Sequence, residues 1–329
     1  MGNQADWYCA GECIMSTQKR NPADTHVAVL MGGWSVERPV SMASGEACTK
    51  ALRNAGFYAT KVDVNRETIT QVLADLKPNV VFNALHGKWG EDGKAAALFE
   101  TMAIPYTHSG VLASAMAMDK QISKAIFRDV GIPLAESLVV PLEDAATRHM
   151  MPVPYVVKPI AEGSSFGVHI IDRSSNGPAA SILDERHIFG DVAMVERFIP
   201  GRELTCAVMG DVALGVIDIV SKGGFYDYDS KYAEGGSEHI LPAQIPNDVY
   251  RRCQKYALQA HKALGCRGVS RADFRYDDTI SEKGELILLE VNTQPGMTGT
   301  SLVPELAKYA GHSFEELVTW MINDASLDR

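Results

Sequence analysis

Asp273, Glu290 and Asn292 stand in two apolar runs near the C-terminal end of this sequence, Arg271-Ala272-Asp273-Phe274 and Leu288-Leu289-Glu290-Val291-Asn292. Two carboxylates and an amide oxygen are hard donors. They suit a cation such as Mg²⁺, which takes few carboxylates and completes its shell with phosphate oxygens and water. Glu290 and Asn292 are two positions apart, so on a strand they project from one face. Glu290 directly follows Leu286-Ile287-Leu288-Leu289. A carboxylate in such a run is costly unless it is paired or metal-bound. Outward-facing polar residues on an alternating strand are the plainer alternative.

A second constellation is Lys158-Pro159-Ile160-Ala161-Glu162-Gly163-Ser164-Ser165-Phe166-Gly167, between two strand patterns. A loop rich in glycine and serine offers backbone N–H groups to a polyphosphate, and Lys158 adds a point charge. Gly163 to Gly167 also fits the G-x-S-x-G elbow of serine hydrolases, with Ser165 as nucleophile. That elbow must turn from a strand into a helix. Here the alternating Val168-His169-Ile170-Ile171-Asp172 predicts another strand. A plain hairpin loop is the third possibility.

Two further loops carry candidate substrate contacts. Thr293 to Pro304 is punctuated by glycine and enters a helix near Ser301. Helix N-terminal amides with a serine hydroxyl suit a carboxylate, although simple capping explains Ser301 equally well. Gly32-Gly33-Trp34-Ser35-Val36-Glu37-Arg38 follows the first strand pattern, and His86-Gly87-Lys88-Trp89-Gly90-Glu91-Asp92-Gly93 follows the third. Ligands of open parallel sheets bind at such strand ends. Glu37 could anchor an ammonium and His86 a carboxylate. Glu37 could equally be a helix-start residue balancing the dipole.

These loops need elements to hold them. His26 to Met31 reads as a buried strand that stops at Gly32-Gly33, and a helical pattern runs to Asn54. Tyr58 to Val64 and Asn79 to Leu85 read as strands around a helix at Thr68 to Leu76. Strand and helix in alternation predict a parallel, Rossmann-like sheet. A helix follows Asp119 and ends at Gly131-Ile132-Pro133. Short strands come next at 137–140, 155–158, 168–171 and 193–197. The remainder offers strands at 205–209, 213–220, 268–276 and 285–291, with helices at 249–264 and 313–323. The expected division is a flexible leader over 1–24 and units over 25–120, 121–204 and 205–329. The fold class is α/β and α+β.

Composition narrows the function. At ~150 residues per domain, 329 residues make about two domains, with three possible. The 31 basic and 41 acidic side chains leave a formal charge of −10. That disfavours sequence-independent nucleic-acid binding, which depends on phosphate neutralisation. No apolar run approaches the ~20 residues of a membrane span. The first 14 residues lack the charge and apolar core of a secretory signal. A cytoplasmic protein with neither nucleic-acid nor membrane partners is expected. The six cysteines form no C-x-x-C pair and read as free thiols.

Taken in order, GGWSVER, HGKWGEDG, MDK, VVKPIAEGSSFGV, VERFIPGRE, YDYDSKY, SRADF and LLEVNTQPGMTGTSLVPE resemble the D-alanine–D-alanine ligase family of the ATP-grasp superfamily. The likeness runs from about His26 to Pro304. It implies a three-domain ATP-grasp fold with ATP gripped between the central and C-terminal units, and a homodimer. The implied reaction joins two D-alanine molecules for peptidoglycan synthesis, through an acyl phosphate. By the resemblance, Lys120 and Lys158 contact ATP phosphates and Lys231 reaches the γ-phosphate. Glu196 and the Ile199 amide read adenine, and Glu203 takes the ribose. Asp273, Glu290 and Asn292 hold two Mg²⁺ ions, with Mn²⁺ as a substitute. Glu37 fixes the first D-alanine ammonium, while Ser301 and Leu302 hold the second carboxylate. Arg271 and the Gly296 amide stabilise the oxyanion. Tyr232, Ser164 and Glu37 form a triad that closes a loop over about 224–238. Pro39 departs from the family pattern, which puts the start of the first helix in question. A ligase with another acceptor, such as D-lactate, and a non-catalytic nucleotide-binding protein are the rival functions. Tyr232 in YDYDSKY speaks against the first rival. The joint presence of Glu37, Arg271 and the metal set speaks against the second.

Overall fold

The computed structural model describes residues 19–175, 177, 178, 180–221, 236–280 and 284–329. The first sheet is parallel, in the order β2-β1-β3, from β1 (His26–Gly32), β2 (Tyr58–Val64) and β3 (Val80–Asn83). Its crossovers are α1 (Arg38–Asn54) and α2 (Ile69–Leu76). β1 pairs on both sides, Val27 facing Ala59 and Val80. It is covered on both faces, which is why it reads as an unbroken apolar run. α3 (Lys94–Thr101), α4 (Val111–Met118) and α5 (Lys120–Asp129) follow.

The second sheet is antiparallel, in the order β4-β7-β5-β6, from β4 (Ser137–Pro141), β5 (Tyr155–Lys158), β6 (His169–Ile171) and β7 (Val192–Arg197). α6 (Leu142–Thr147) and α7 (Arg186–Phe189) accompany it. The third sheet runs β10-β9-β8-β11-β12, also antiparallel. Its strands are β8 (Arg202–Met209), β9 (Val212–Ser221), β10 (Ser237–Ile240), β11 (Val269–Asp277) and β12 (Glu285–Asn292). α8 (Asn247–Ala263), α9 (Leu302–Tyr309) and α10 (Phe314–Asp324) complete the chain.

The cores do not follow chain order. Val27, Val29 and Met31 of β1 share one cluster with Leu317, Val318 and Met321 of α10 and with Met209 of β8. Phe127 of α5 packs beneath the third sheet with Cys253 and Ala257 of α8. So α5, expected in the central unit, belongs by packing to the C-terminal sheet. The expected edge between 204 and 205 falls inside β8.

Three helices were not read from the sequence, and one further expectation needs correction. α4, Val-Leu-Ala-Ser-Ala-Met-Ala-Met, is apolar nearly all round and offers no amphipathic stripe to read. α3 and α6 were missed because both are short, α3 beginning directly after Gly93 and α6 following β4 with no loop between them. The expected free leader also fails over 19–24. The Arg20 guanidinium donates to the Ala325 carbonyl at 2.9 Å, and its amide donates to Asn323 Oδ1 at 2.9 Å. Cys48, Cys206, Cys253 and Cys266 are free and buried, while Cys9 and Cys13 lie outside the described residues.

Candidate active site

Glu37 occupies the N-cap position of α1, with Pro39 inside the first turn, where a missing N–H is harmless. The helix therefore starts normally despite the unusual proline. The Glu37 side chain makes no capping bond. It is buried and accepts a hydrogen bond from the Ser164 hydroxyl, 127 residues away in sequence. Gly87 makes this approach possible. Its φ is +72°, and a Cβ there would collide with the Ser35 hydroxyl and the Glu37 carboxylate. Trp34 and Trp89 pack 4.9 Å apart between the same two loops, and the Arg66 guanidinium lies 4.7 Å over the Trp34 ring.

His86 is buried with both ring nitrogens engaged, Nε2 to Ser44 Oγ at 3.0 Å and Nδ1 to Glu91 Oε1 at 3.1 Å. The Met297 amide donates to the same Ser44 oxygen at 3.2 Å. His86 thus ties the first sheet to the Gly296-Met297 loop. Ser301 caps α9 by backbone position only. Its hydroxyl accepts from the Thr298 amide at 2.9 Å, and a Cβ on Gly296 would stand 2.9 Å from it.

The Lys158–Gly167 loop is the turn of a hairpin, because β5 and β6 pair antiparallel. A strand follows it, so the nucleophile-elbow alternative for Ser165 is ruled out. Ser164, Ser165 and Gly167 have φ of +50°, +59° and +68°. Such left-handed backbone favours an anion-binding concavity of N–H groups.

Charge is concentrated beside this loop. The Lys120 ammonium donates to the Glu162 carbonyl at 2.6 Å and lies 3.3 Å from Glu290 Oε2. Lys158 donates to Glu196 Oε2 at 2.5 Å, and Lys124 bonds Glu196 Oε1. Burial opposes ionisation of Glu196, yet Lys158 and Lys124 together hold its carboxyl below the ordinary range. Burial lowers the Lys124 ammonium, with Glu196 opposing the shift.

On the third sheet, Asp273 faces Glu290 across β11 and β12, and Arg271 faces Asn292. Arg271, Asp273 and Arg275 share one partly buried face, while Ala272, Phe274 and Tyr276 fill the core behind them. The Arg271 guanidinium grips Asp273 at 2.9 and 2.7 Å, and the Thr205 hydroxyl donates to Asp273 at 2.6 Å. Asn292 Oδ1 accepts from the Gln294 amide at 2.8 Å, which orients it. Among the described residues no group of three or more His, Cys, Asp or Glu side chains could cage a metal by itself. Two facing carboxylates with an amide oxygen fit a divalent cation that keeps phosphate and water ligands.

Two clefts result. One is lined by Glu37, His86, Ser164, Arg271, Gly296 and the Ser301-Leu302 step. The other is lined by Lys158, Glu196, Phe198, Ile199, Glu203 and Asp273. Lys120, Glu162, Gly163 and Glu290 line both, so the clefts meet there. Asn292 lines the first cleft. Lys231, Tyr232 and positions 224–235 of the expected loop lie outside the described residues. Sequence reading missed Lys124, Ser44 and Glu91. Lys124 was legible as the i+4 neighbour of Lys120 on α5. It also missed Arg275, which donates to the Ile199 carbonyl at 3.1 Å and to Glu203 at 3.3 Å.

Comparison with known proteins agrees with this arrangement. A family model described as D-ala D-ala ligase C-terminus matches residues 126–323. A D-alanine–D-alanine ligase of Parvibaculum lavamentivorans is 58% identical over 304 residues, covering 92% of this chain and 98% of that protein. A D-alanine–D-alanine ligase B of Mesorhizobium japonicum is 58% identical over 302 residues, covering 92% and 98%. The crystal structure of a D-alanine–D-alanine ligase from Bacillus anthracis complexed with ATP superposes with a TM-score of 0.77 at 28% identity, covering 91% of this chain and 97% of that one. The fold is therefore that of the ATP-grasp ligases, and the chain belongs to the D-alanine–D-alanine ligase family.

Proposed function

We propose that this protein is an ATP-dependent ligase that joins two D-alanine molecules into D-alanyl-D-alanine for peptidoglycan synthesis, releasing ADP and phosphate. The observation that carries the reading is the junction of the two clefts at Lys120, Glu162, Gly163 and Glu290. A γ-phosphate entering from one side there meets a carboxylate entering from the other.

The first D-alanine is held by its ammonium on Glu37, which Ser164 fixes in place. Its carboxylate oxygen attacks the γ-phosphorus, ADP leaves, and an acyl phosphate forms. The amine of the second D-alanine then attacks the acyl carbon and loses a proton, and phosphate leaves with the bridging oxygen. The tetrahedral oxyanion faces Arg271, whose guanidinium Asp273 holds, and the Gly296 amide. One such donor is worth ~2.7–4 kcal/mol. The second carboxylate sits at the start of α9, against Ser301 and the Leu302 amide. On the other side Lys120 and Lys158 take phosphate oxygens, Glu196 and Ile199 the adenine, and Glu203 the ribose. Lys231 and Tyr232 keep their family-implied roles. Asp273, Glu290 and Asn292 would hold two Mg²⁺ ions, which offset the repulsion between phosphate and carboxylate when bound. The family also supports a cytoplasmic homodimer, and no described helix is long and apolar enough to cross a membrane.

Phosphate release from ATP tests the reading. D-alanine should stimulate it strongly, and L-alanine should leave it at the level seen without amino acid. Equal release in all three cases would reject it.

A further inference from the structure

Lys124 has no part in the reaction described above, yet it is among the most enclosed charges in the molecule. Its side chain is 2% exposed and bonds Glu196 Oε1. Lys158 bonds the other oxygen of the same carboxylate at 2.5 Å. Two ammoniums therefore share one buried anion. They differ in access. Lys158 and Glu196 line the nucleotide cleft, and Lys124 lines neither cleft.

The difference has a chemical consequence. If Lys158 were the only counter-charge of Glu196, drawing its ammonium to a phosphate would leave a buried carboxylate unpaired, which is strongly unfavourable. With Lys124 on the opposite oxygen, Glu196 stays paired and Lys158 becomes exchangeable. We propose, building on the ligase reading, that Lys124 is a positioning residue: it holds Glu196 against the cleft wall and so releases Lys158 to a nucleotide phosphate. Lys124 touches no substrate and acts only through these two partners.

Calorimetric binding of ADP and of adenosine to the full chain tests this, with Lys124→Met as the variant. ADP should bind about tenfold more weakly than to the unaltered protein. Adenosine, which meets Glu196 through its adenine but has no phosphate for Lys158, should lose less than ADP. The same substitution is then made on a Glu196→Gln background, where no buried carboxylate requires a counter-charge. There it should cost ADP binding almost nothing. The double variant also guards against misfolding, since it removes both members of the buried Lys124–Glu196 pair. Undiminished ADP affinity in Lys124→Met, equal losses for ADP and adenosine, or the same ADP loss on both backgrounds would each overturn the proposal. Failure of the unaltered chain to bind ADP would instead overturn the ligase reading itself.

Discussion

The two clefts treat charge in opposite ways. In the cleft lined by Lys158 and Glu196 the ammonium is bound to that internal carboxylate, and where the clefts meet Lys120 lies against Glu290. In the cleft lined by Glu37 and Arg271, the Glu37 carboxylate takes, among the described residues, a hydrogen bond from the neutral Ser164 hydroxyl. A polyanionic ligand can take lysines away from their internal partners. An ammonium ligand needs a carboxylate whose charge its holder leaves intact. The contrast shows two ways to keep a charged group in place before its ligand arrives. One is an ion pair that the ligand breaks, and the other is a neutral hydrogen bond that the ligand leaves standing.

The first prediction concerns the point where the clefts meet. Glu290→Gln keeps the side-chain shape and removes the charge that faces Lys120 and Asp273. Turnover at saturating Mg²⁺ should fall at least ~100-fold, about 2.7 kcal/mol in the barrier. A rate close to that of the unaltered enzyme would show that Glu290 is only a counter-ion for Lys120.

Glu37→Gln probes the amino-acid side alone. A hydrogen bond to a charged group is worth ~1.5–3 kcal/mol, so kcat/KM for D-alanine should drop roughly 10- to 100-fold. The KM for ATP should hardly move. If both KM values rise together, the two clefts are not electrostatically separate as described.

Buried histidines extend the contrast, because the scaffold gives them little counter-charge. Burial pushes the His108 imidazole down to about 3, helped by Arg329 and His86. Burial likewise pushes His261 down to about 4, against the pull of Asp211 and Asp324. Both folded values lie below the ordinary ~6.5, so the unfolded chain binds more protons as pH falls. Their contribution to stability is complete above ~6.5 and is lost as pH falls through the folded values. Thermal unfolding followed from neutral pH to about 4 should show a falling Tm, with a shallower slope in His261→Gln. An unchanged slope in that variant would assign the acid sensitivity elsewhere.

Ser164→Ala should give the smallest effect. It removes one neutral hydrogen bond to Glu37, worth ~0.5–1.5 kcal/mol, so KM for D-alanine should rise only several-fold. A loss as large as that of Glu37→Gln would mean that Ser164 contacts the reacting groups itself.

The elements with the clearest periodicity were legible in the sequence. β1 was readable because an interior parallel strand must be apolar throughout, and β11 because Arg271, Asp273 and Arg275 alternate with Ala272, Phe274 and Tyr276. The hairpin of β5 and β6 was readable because a strand pattern, not a helix, follows the glycine-serine loop. α4 was not, because a helix that is apolar on its exposed side as well as its buried one carries no stripe. Nor was the shared core of β1 and α10, since contacts between residues nearly 300 apart leave no local pattern. The residues singled out for chemistry at motif spacing, such as Glu37, Lys158, Arg271 and Glu290, line the two clefts. Of their supports, Lys124 showed only its i+4 spacing from Lys120, and Ser44 left no local pattern because it acts through a neighbour that folding alone brings close.

The most direct test follows one oxygen atom across the junction of the clefts. D-alanine labelled with ¹⁸O in its carboxylate is supplied with unlabelled ATP and Mg²⁺ in ordinary water, and the released phosphate is analysed by mass spectrometry. If the carboxylate attacks the γ-phosphorus and the amine then displaces phosphate from the acyl carbon, each phosphate carries one ¹⁸O and D-alanyl-D-alanine forms in equal amount. Unlabelled phosphate would mean that water, not D-alanine, receives the phosphoryl group, and would contradict the account.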